Sequence, residues 1–318
     1  MNDSRALAAL SRWPLDIRSV ALAAQRENEV HRAVAGDGTV YALRFHRPGY
    51  RGDAQLQSEL SWMAALAAGG LEVPRPIASR SGQFIESIDG YQVDVLTWLA
   101  GRPLGAAGVP LSLADRPGAF HALGAALARL HEISDAWVPP ARFDRPKWDI
   151  AGLTGEDPLW GRFWQNPAVS RDERDILLQA RDAAQHDLLA QRELLDYGLI
   201  HADAVRENVL IDGASARLID FDDSGWGYRL FDVATALLKN RNEPDYATLE
   251  AALLDGYASH RVLDTRALPL FMMLRALTYL GWIIPRLGEP GAAERNQRNL
   301  GPALELADRY LGSRLRPA

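Results

Sequence analysis

Three polar residues, each beside a short apolar run, have the types and the spacing that phosphoryl transfer requires. Asp203 follows shortly after the apolar pair Leu199-Ile200, Asn208 comes five positions later, and Asp220 ends a second apolar pair. Two short buried strands around a turn would bring the three side chains to one mouth. A carboxylate there can accept the proton of an attacking hydroxyl, and an amide and a second carboxylate are oxygen ligands suited to Mg²⁺. The stretch from Leu199 to Val233 is therefore the candidate catalytic segment.

The whole chain has the length and composition of an ordinary folded protein. Its 318 residues suit two lobes or one large enzyme domain, and 47% hydrophobic with 24% charged residues is a usual globular balance. A formal net charge of −6 argues against nucleic-acid or anionic-membrane partners, which attract basic surfaces. Cysteine is absent, so disulfides and thiolate metal sites are excluded.

Two segments bear on localisation. Residues Met1–Arg5 do not form the basic, then apolar, then small-residue pattern of a signal peptide. The most apolar stretch, Leu268–Leu287, is interrupted by Arg275, Pro285 and Arg286, which is typical of a buried core helix rather than a bilayer span. We expect a soluble cytoplasmic protein with no membrane partner.

The first hundred residues show the pattern of a small antiparallel sheet with one packed helix. Leu56, Leu60 and Met63 keep helical spacing behind Asp53, a residue type that caps helices, and Gly69-Gly70 ends that helix. The predicted strands, rich in β-branched and aromatic residues, are Ser19–Ala24, Val30–Ala35, Thr39–Phe45, Gln83–Ser87 and Tyr91–Leu96.

Helical patterns dominate after a linker that contains Trp98–Pro103. A long irregular segment rich in proline, tryptophan and glycine, Val138–Trp164, interrupts them. The predicted helices are Pro117–Ile133, Asp172–Leu195, Val233–Lys239, Asp245–Ser259, Leu268–Leu287 and Asn296–Leu311. We therefore predict an α+β fold of two lobes, with a small antiparallel-sheet lobe at residues 1–96, a hinge at 97–104 and a mainly helical lobe at 105–318.

The candidate catalytic segment also carries a family resemblance. His-x-Asp-x-x-x-x-Asn from His201 to Asn208, followed by Ile-Asp-Phe-Asp at 219–222, resembles the catalytic and metal loops of the aminoglycoside phosphotransferase family. That family belongs to the protein-kinase-like superfamily, alongside choline kinases, type II homoserine kinases and bacterial stress-response kinases. The resemblance extends to the order of the lobes and covers roughly residues 15–310. It implies a bilobal kinase-like fold with ATP and Mg²⁺ bound in the cleft between the lobes.

The resemblance implies a role for each polar residue of this segment. Asp203 would be the catalytic base, or the group that orients the attacking hydroxyl, unless it is a turn aspartate bonded to its own backbone. Asn208 and Asp220 would bind Mg²⁺, and Asn208 can cap the turn at the same time. Asp222 would assist a second metal or the substrate, or lie in a solvated turn. His201 is expected to pack rather than to carry a catalytic proton.

The amino-terminal lobe must supply a cation for the α- and β-phosphates, and its sequence offers no lysine. Lysine occurs only at Lys147 and Lys239, so Arg44, which stands where kinases carry the lysine of Val-Ala-Ile-Lys, would take this role. Arg47 is the alternative if the strand register is shifted. Glu59, on the apolar side of its helix, would form an ion pair with Arg44 or else lie at an exposed edge.

Other nucleotide contacts are expected at two backbone segments. No Gly-x-Gly-x-x-Gly is present, and the turn Arg26-Glu27-Asn28 stands where the phosphate-covering loop belongs, with Asn28 as its candidate contact. Leu96–Leu99 would be the hinge, in which backbone groups of Leu96 and Trp98 read adenine.

Aromatic and arginine side chains beyond the metal loop could line an acceptor pocket. A cage of aromatics would suit a choline-type cation, whereas arginines suit an anionic or zwitterionic acceptor, and the sequence leaves both open. Large aromatics in helical proteins are also commonly core residues. The candidates are Trp226, Tyr228, Trp282, Arg275 and Arg286, with Trp160 and Trp164 as residues that could cover the pocket.

The segment after the metal loop favours a small acceptor. Only Asp223–Leu230 separates this loop from Asp232, the residue that would steady the catalytic loop, and that is too short for a peptide-docking activation loop. Val205 also replaces the basic residue that protein kinases carry after the catalytic aspartate.

The predicted function is therefore ATP- and Mg²⁺-dependent transfer of the γ-phosphoryl group to a hydroxyl of a small molecule. An amino acid, an amino alcohol, a sugar or an aminoglycoside-like acceptor would each fit, and we expect a monomer or homodimer with no nucleic-acid partner. A Ser/Thr protein kinase of the stress-response type and a catalytically silent nucleotide-binding scaffold are the alternatives.

Overall fold

The computed structural model describes residues 2–25 and 28–314 of the chain. It begins with a helix that the sequence patterns did not predict, α1 (Asn2–Leu10). This helix packs on one face of a five-stranded antiparallel sheet, ordered β1-β2-β3-β5-β4. The strands are β1 (Ile17–Gln25), β2 (Glu29–Ala35), β3 (Val40–Phe45), β4 (Ile85–Ile88) and β5 (Tyr91–Thr97).

Strand alternation gives this sheet one apolar and one polar face at its centre. Leu43 pairs with Val95, and Phe45 pairs with Val93, and all four side chains are buried in a small core under α1. Arg44 therefore points to the opposite face of the sheet. Asp94, the β5 residue that pairs with Arg44, lies on the same face.

The second helix, α2 (Asp53–Ala68), is anchored in the larger core of the protein. Its amino-terminal cap is Gly52, without a capping side chain, so the prediction that Asp53 caps the helix was wrong by one position. Trp62 Nε1 donates to Ser134 Oγ at 2.9 Å, and the Trp62 ring lies edge-on to Phe221 at 5.5 Å between centroids. These contacts tie α2 to the segment that follows Asp220.

The rest of the described chain is mainly helical and shares one large hydrophobic core. The helix predicted to reach Leu195 ends at Ala190, and the helix predicted from Val233 begins four residues earlier. The irregular segment 138–164 contains a short strand and a short helix. The helices are α3 (Arg116–Ala136), α4 (Ile150–Thr154), α5 (Arg171–Ala190), α6 (Arg229–Leu238), α7 (Tyr246–Ala258), α8 (Leu268–Trp282) and α9 (Ala292–Arg314).

Two glycines allow α3 and α7 to cross in close contact. A Cβ atom on Gly124 would lie 1.9 Å from the carbonyl oxygen of Leu253, and one on Gly256 would lie 2.0 Å from that of His121. Both distances are far below any real contact, so only glycine fits at each position. This crossing fixes α3, which in turn supports α2 and the catalytic loop.

Two three-stranded sheets position the catalytic and metal loops. One has the order β10-β9-β6 and the other β7-β11-β8. Because β8 ends at Ile200 and β10 ends at Leu218, both sheets deliver their polar loops to the same mouth, as the apolar runs predicted. The strands are β6 (Arg102–Pro103), β7 (Lys147–Trp148), β8 (Tyr197–Ile200), β9 (Val209–Asp212), β10 (Ser215–Leu218) and β11 (Gly225–Tyr228).

One segment of the described chain, Leu268–Arg286, has the length and hydropathy of a membrane-spanning helix. It comprises α8 and the turn after it, and 72% of its most apolar window is buried inside the protein. This burial agrees with its prediction as a core helix.

Candidate active site

The carboxylate of Asp203 is held between an amide and a guanidinium. Its Oδ2 accepts a hydrogen bond from Asn208 Nδ2 at 2.8 Å, and its Oδ1 accepts from Arg275 Nη2 at 2.6 Å. The same Asn208 nitrogen also donates to the backbone oxygen of Asp203 at 3.0 Å. Both bonds use Nδ2, so the amide oxygen of Asn208 is the atom left to offer a metal. The positive φ of 64° at Ala202 turns the chain so that Asp203 faces this mouth.

Asp232 supports the catalytic loop from below. It accepts hydrogen bonds from the backbone nitrogens of His201 and Ala202, at 2.8 and 2.6 Å, and it lies 3.1 Å from His131 Nε2. His201 Nδ1 faces the amide nitrogen of Asp203, which can only donate, so the ring proton sits on Nε2 and is donated to Ile219. Burial lowers the pKa of His201. A neutral, packed histidine follows from this geometry.

The loop after β10 adds a group of acidic side chains, of which Asp222 is buried, Asp223 is half-buried and Asp220 is exposed. Burial, followed by the charges of neighbouring carboxylates such as Asp223, raises the pKa of Asp220 to about 6. Burial and the charge of Glu59 raise the pKa of Asp222 to about 7, and burial raises that of Asp203 to about 8. Carboxylates crowded in a poorly solvated site favour protons or a cation.

This donor set fits Mg²⁺ only if other molecules complete its shell. Among the described residues, no three His, Cys, Asp or Glu side chains are arranged as a ready-made metal site. Asn208 and Asp220 would supply two oxygens, and Mg²⁺ ordinarily takes its remaining ligands from phosphates and water. The residues present therefore suit a metal that arrives with a nucleotide.

Arg44 lies in a buried ionic network on the polar face of the sheet. Its Nε and Nη2 donate to the two oxygens of Asp94 at 2.9 and 2.7 Å, and its Nη1 donates to Glu59 at 3.1 Å. The pairing of Arg44 with Glu59 was expected, but Asp94 and its contact with His46 Nε2 at 2.6 Å were not. The sequence does contain one indication that Asp94 has a buried partner, because it is the only charged residue between the valines of β5.

Arg145 connects α2 with the metal loop and was missed by the sequence analysis. Its Nη2 donates to the backbone oxygens of Phe221 and Asp222 at 2.8 and 2.7 Å, and its Nε donates to that of Ser224 at 2.8 Å. Nη1 lies 3.4 Å from Glu59 Oε2. Arg145 lies in the irregular segment, where no periodic pattern marks its position.

Asp222 faces a cation rather than open solvent. Arg51 Nε lies 3.7 Å from Asp222 Oδ1, and Arg51 Nη2 donates to Asp223 Oδ1 at 3.2 Å and to the backbone oxygen of Asp222 at 3.0 Å. Arg51 precedes α2, so this contact spans the mouth between the two lobes.

The expected nucleotide contacts of the sheet lobe are placed as follows. Asn28 Oδ1 lies 3.4 Å from the backbone nitrogen of Arg47, while Arg26 and Glu27 lie outside the described residues. Leu96 is buried and pairs with Ala42. The backbone nitrogen of Trp98 donates to Val40 at 3.1 Å, so this amide is engaged within the protein and not free for adenine.

The candidate acceptor residues separate into two groups. Arg275 is fully buried beside Asp203, with its guanidinium carbon 4.5 Å from the ring centroids of both Trp160 and Tyr279. Trp282 lies next to Trp160, at 6.3 Å between centroids, with Arg286 over its ring at 4.4 Å. Arg275 thus contacts Asp203 directly, while Trp282 and Arg286 are connected to it through the ring of Trp160.

The other expected pocket residues lie elsewhere. Trp226 and Tyr228 line a separate cavity of about 780 Å³, together with Tyr197 and Asp149, and neither Arg275 nor Trp282 borders it. Trp164 is buried in the core with Arg181 stacked on its ring, so it does not cover the acceptor side. The structure therefore does not bring Trp226 and Tyr228 into one pocket with Arg275 and Trp282.

Comparison with known proteins places the chain in a family. A family model described as "Phosphotransferase enzyme family" matches residues 19–268. A solved structure of the microcompartment-associated aminopropanol kinase superposes with a TM-score of 0.83 and 29% identity, over 98% of each chain. An amicoumacin kinase solved in complex with AMP-PNP, Ca²⁺ and Ami gives a TM-score of 0.74 and 22% identity, over 97% of this chain and 94% of that one.

Two curated relatives complete the comparison. Homoserine kinase from Gluconacetobacter diazotrophicus is 29% identical, over 83% of this chain and 78% of that protein. Amicoumacin kinase from Bacillus subtilis is 26% identical, over 72% of this chain but only 65% of its own length. The chain belongs to the phosphotransferase enzyme family, and the predicted kinase-like α+β fold is confirmed. The relatives and structures named above are an aminopropanol kinase, two amicoumacin kinases and a homoserine kinase.

Proposed function

We propose that the protein is an ATP- and Mg²⁺-dependent kinase that phosphorylates a hydroxyl group of a small molecule. One observation carries the proposal: the Asp203 carboxylate, oriented by Asn208 and Arg275, lies at the same mouth as the acidic loop that begins at Asp220. The kinases among its relatives and the AMP-PNP and Ca²⁺ in a structure of the same fold support a nucleotide with a divalent cation.

In the proposed reaction, Asp203 receives a proton as the acceptor attacks. A new bond forms between the acceptor oxygen and the γ-phosphorus, the bond from that phosphorus to the bridging oxygen breaks, and ADP leaves with the electron pair. The proton of the acceptor hydroxyl moves to the Asp203 carboxylate, which must be ionised beforehand. A positioned base contributes on the order of 10²–10⁴-fold.

The oxygens of Asn208 and Asp220 would hold Mg²⁺. When bound, the metal would neutralise charge on the phosphates. Arg44 would present its remaining N–H groups to the α- and β-phosphates from the rigid base that Asp94 and Glu59 provide. Three hydrogen bonds to carboxylates fix the orientation of the Arg44 guanidinium, whereas a lysine would supply a mobile point charge.

The acceptor proposed is small because the described chain leaves no room for an activation loop. The residues between Asp223 and Asp232 form β11 and the start of α6, both packed into the core. A protein substrate would need an extended docking segment at this place.

The proposal is tested by ADP release with a panel of amino acids, amino alcohols, sugars and aminoglycosides, against a protein extract as the macromolecular alternative. Asp203→Asn should lose at least about 100-fold in turnover of any acceptor found while keeping nucleotide affinity. Near-normal turnover in Asp203→Asn would contradict the role of the base.

The metal role has its own test. Asp220→Asn should reduce the thermal stabilisation that Mg²⁺ with AMP-PNP produces, relative to AMP-PNP with EDTA. The control is Asp264→Asn, an exposed carboxylate bonded to Arg266, which should leave the stabilisation unchanged. Equal stabilisation in Asp220→Asn and wild type would exclude Asp220 as a ligand.

A further inference from the structure

Two cations lie near Asp203, and the proposed reaction uses only Arg275, which orients the aspartate, and not Lys239. Arg275 reaches Asp203 Oδ1, and its Nη2 also donates to Tyr279 Oη at 3.1 Å. The ammonium of Lys239 lies 3.9 Å from the centroid of the same tyrosine ring. We call Lys239, Arg275 and Tyr279 the cationic wall.

Lys239 is one of the two lysines in the sequence, and it is held in this wall. Its Nζ donates to Asn299 Oδ1 at 2.8 Å, the one hydrogen-bond acceptor that residues 2–25 and 28–314 offer it. Burial and the charges of Arg275 and Arg298 lower its pKa to about 8. An ammonium has three donors and gains most from an anionic acceptor, whereas the partner that Lys239 has here, Asn299, is neutral.

The nearby carboxylates leave Lys239 without an anionic hydrogen-bond partner. Asp203 is already paired with Arg275, and Glu207 accepts a hydrogen bond from the backbone nitrogen of Ala107 at 2.6 Å. Arg275 Nε is buried without a hydrogen-bond partner among the described residues. The wall therefore has unused donor capacity on a side chain that is fully buried, which is costly unless a ligand meets it.

The aromatic rings near the wall are occupied by the protein's own cations. Arg275 lies over Trp160 and Tyr279, Lys239 lies over Tyr279, and Arg286 lies over Trp282. An ammonium-bearing acceptor placed against these rings would meet like charges at each of them. A choline-type cage is therefore disfavoured at this site.

We propose that the cationic wall binds an anionic group of the acceptor, with Lys239 as its main contact. The acceptor is then a hydroxy acid or a hydroxyl-bearing amino acid, and its carboxylate sets the position of its hydroxyl at Asp203. This inference rests on the proposed kinase function and names the substrate class of the same site.

Acceptor pairs that differ by one carboxylate test the inference directly. L-Threonine and 1-aminopropan-2-ol form one pair, and L-homoserine and 3-aminopropan-1-ol form another, each with the amine and the hydroxyl retained. ADP release should give a kcat/KM at least about tenfold higher for the carboxylate member, as one charged hydrogen bond warrants. A higher value for the amino alcohol in each pair would overturn the inference while leaving the kinase function intact.

Substitution of Lys239 separates binding from chemistry. Lys239→Gln should raise KM for the carboxylate acceptor about 10- to 100-fold with a much smaller change in kcat, and Lys239→Arg should recover most of the loss. The matched control is Lys147→Gln, which removes the only other lysine, an exposed residue of β7. An unchanged KM in Lys239→Gln, with wild-type thermal stability, would contradict the assignment.

A measurement of acceptor binding, made without turnover, distinguishes failure of the anion site from failure of the kinase function. Calorimetry with Mg²⁺ and AMP-PNP present should detect binding of the hydroxy acid to the wild-type protein but not to Lys239→Gln. Carboxylate-dependent binding without any ADP release would sustain the anion site and count against the kinase function. Turnover confined to uncharged or cationic acceptors would support the kinase function and contradict the anion site.

Discussion

Three carboxylates at this mouth, Asp203, Asp220 and Asp222, have raised pKa values. Burial is the first cause for Asp203, Asp220 and Asp222, and mutual repulsion adds to it. With pKa values of about 8, 6 and 7, the cluster is partly protonated at neutral pH. A metal binds only the ionised carboxylates, so its arrival must release protons.

We expect binding of Mg²⁺ with AMP-PNP at pH 7 to release protons to the buffer. With pKa values of about 8 and 7, Asp203 is largely protonated and Asp222 about half protonated at pH 7, while Asp220, at about 6, is mostly ionised, so the release should shrink as pH rises to 9. Calorimetry in two buffers of different ionisation enthalpy measures the number of protons released per nucleotide bound. Asp222→Asn should lower it, and zero release at pH 7 would refute the protonated cluster.

At the scale of single elements, Arg145 makes α2 and the metal loop one unit. It donates to three backbone oxygens of that loop and contacts Glu59, which in turn holds Arg44. A buried guanidinium in this position cannot be replaced by a point charge without loss of donors. The loop after Asp220 and Arg44 should therefore respond together to a change at Arg145.

Arg145→Lys should weaken Mg²⁺·AMP-PNP binding about tenfold and lower stability by about 2–4 kcal/mol, because buried loop carbonyls lose their partners. Arg142→Lys is the matched control, three residues earlier and exposed. Affinity is read by calorimetry and stability by urea unfolding. If both variants bound nucleotide like wild type, Arg145 would have only a packing role.

The α3–α7 crossing should be intolerant of a single methyl group. Gly124→Ala places its Cβ 1.9 Å from the Leu253 carbonyl oxygen, which belongs to a helix backbone that cannot retreat locally. We expect a loss of about 2 kcal/mol or more in unfolding free energy. Gly301→Ala in α9, where nothing lies within 4 Å, should be neutral or stabilising by about 0.5–1 kcal/mol. Equal stabilities would show that the helices can separate.

At the scale of the molecule, the two lobes differ in how much core supports them. The sheet lobe has a core of nine buried residues in the described chain, whereas α2 and the helices share the much larger one. Local opening follows the number of buried apolar contacts. Arg51, which contacts Asp222 and Asp223 across the mouth, is one of the links between these parts.

Hydrogen exchange should therefore reveal the sheet lobe as the less protected part. Amides of β1–β3 should exchange at least about tenfold faster than those of α6 and α8, and Mg²⁺ with AMP-PNP should slow them. Mass spectrometry of peptides from the two regions measures the ratio. Equal protection in both regions would mean that the lobes unfold as one unit.

Local features of this fold could be predicted because neighbours in sequence determine them. The alternation along β3 and β5 placed Arg44 on the polar face, and the spacing of Asp203 and Asn208 across one turn fixed their contact. Element ends were less predictable: α5 stops five residues short of the expected Leu195. The end of a helix depends on what packs against its last turn, which the local pattern does not contain.

By itself, the sequence determined that Asp203, Asn208 and Asp220 share one mouth, since their flanking strands and turns are short-range features. Only the tertiary structure decided which distant residues complete that mouth. Arg145, Asp94 and Lys239 approach it from separate elements, while Trp226 and Tyr228 face another cavity. These placements depend on how buried charges find partners across the core, and no periodicity along the chain encodes them.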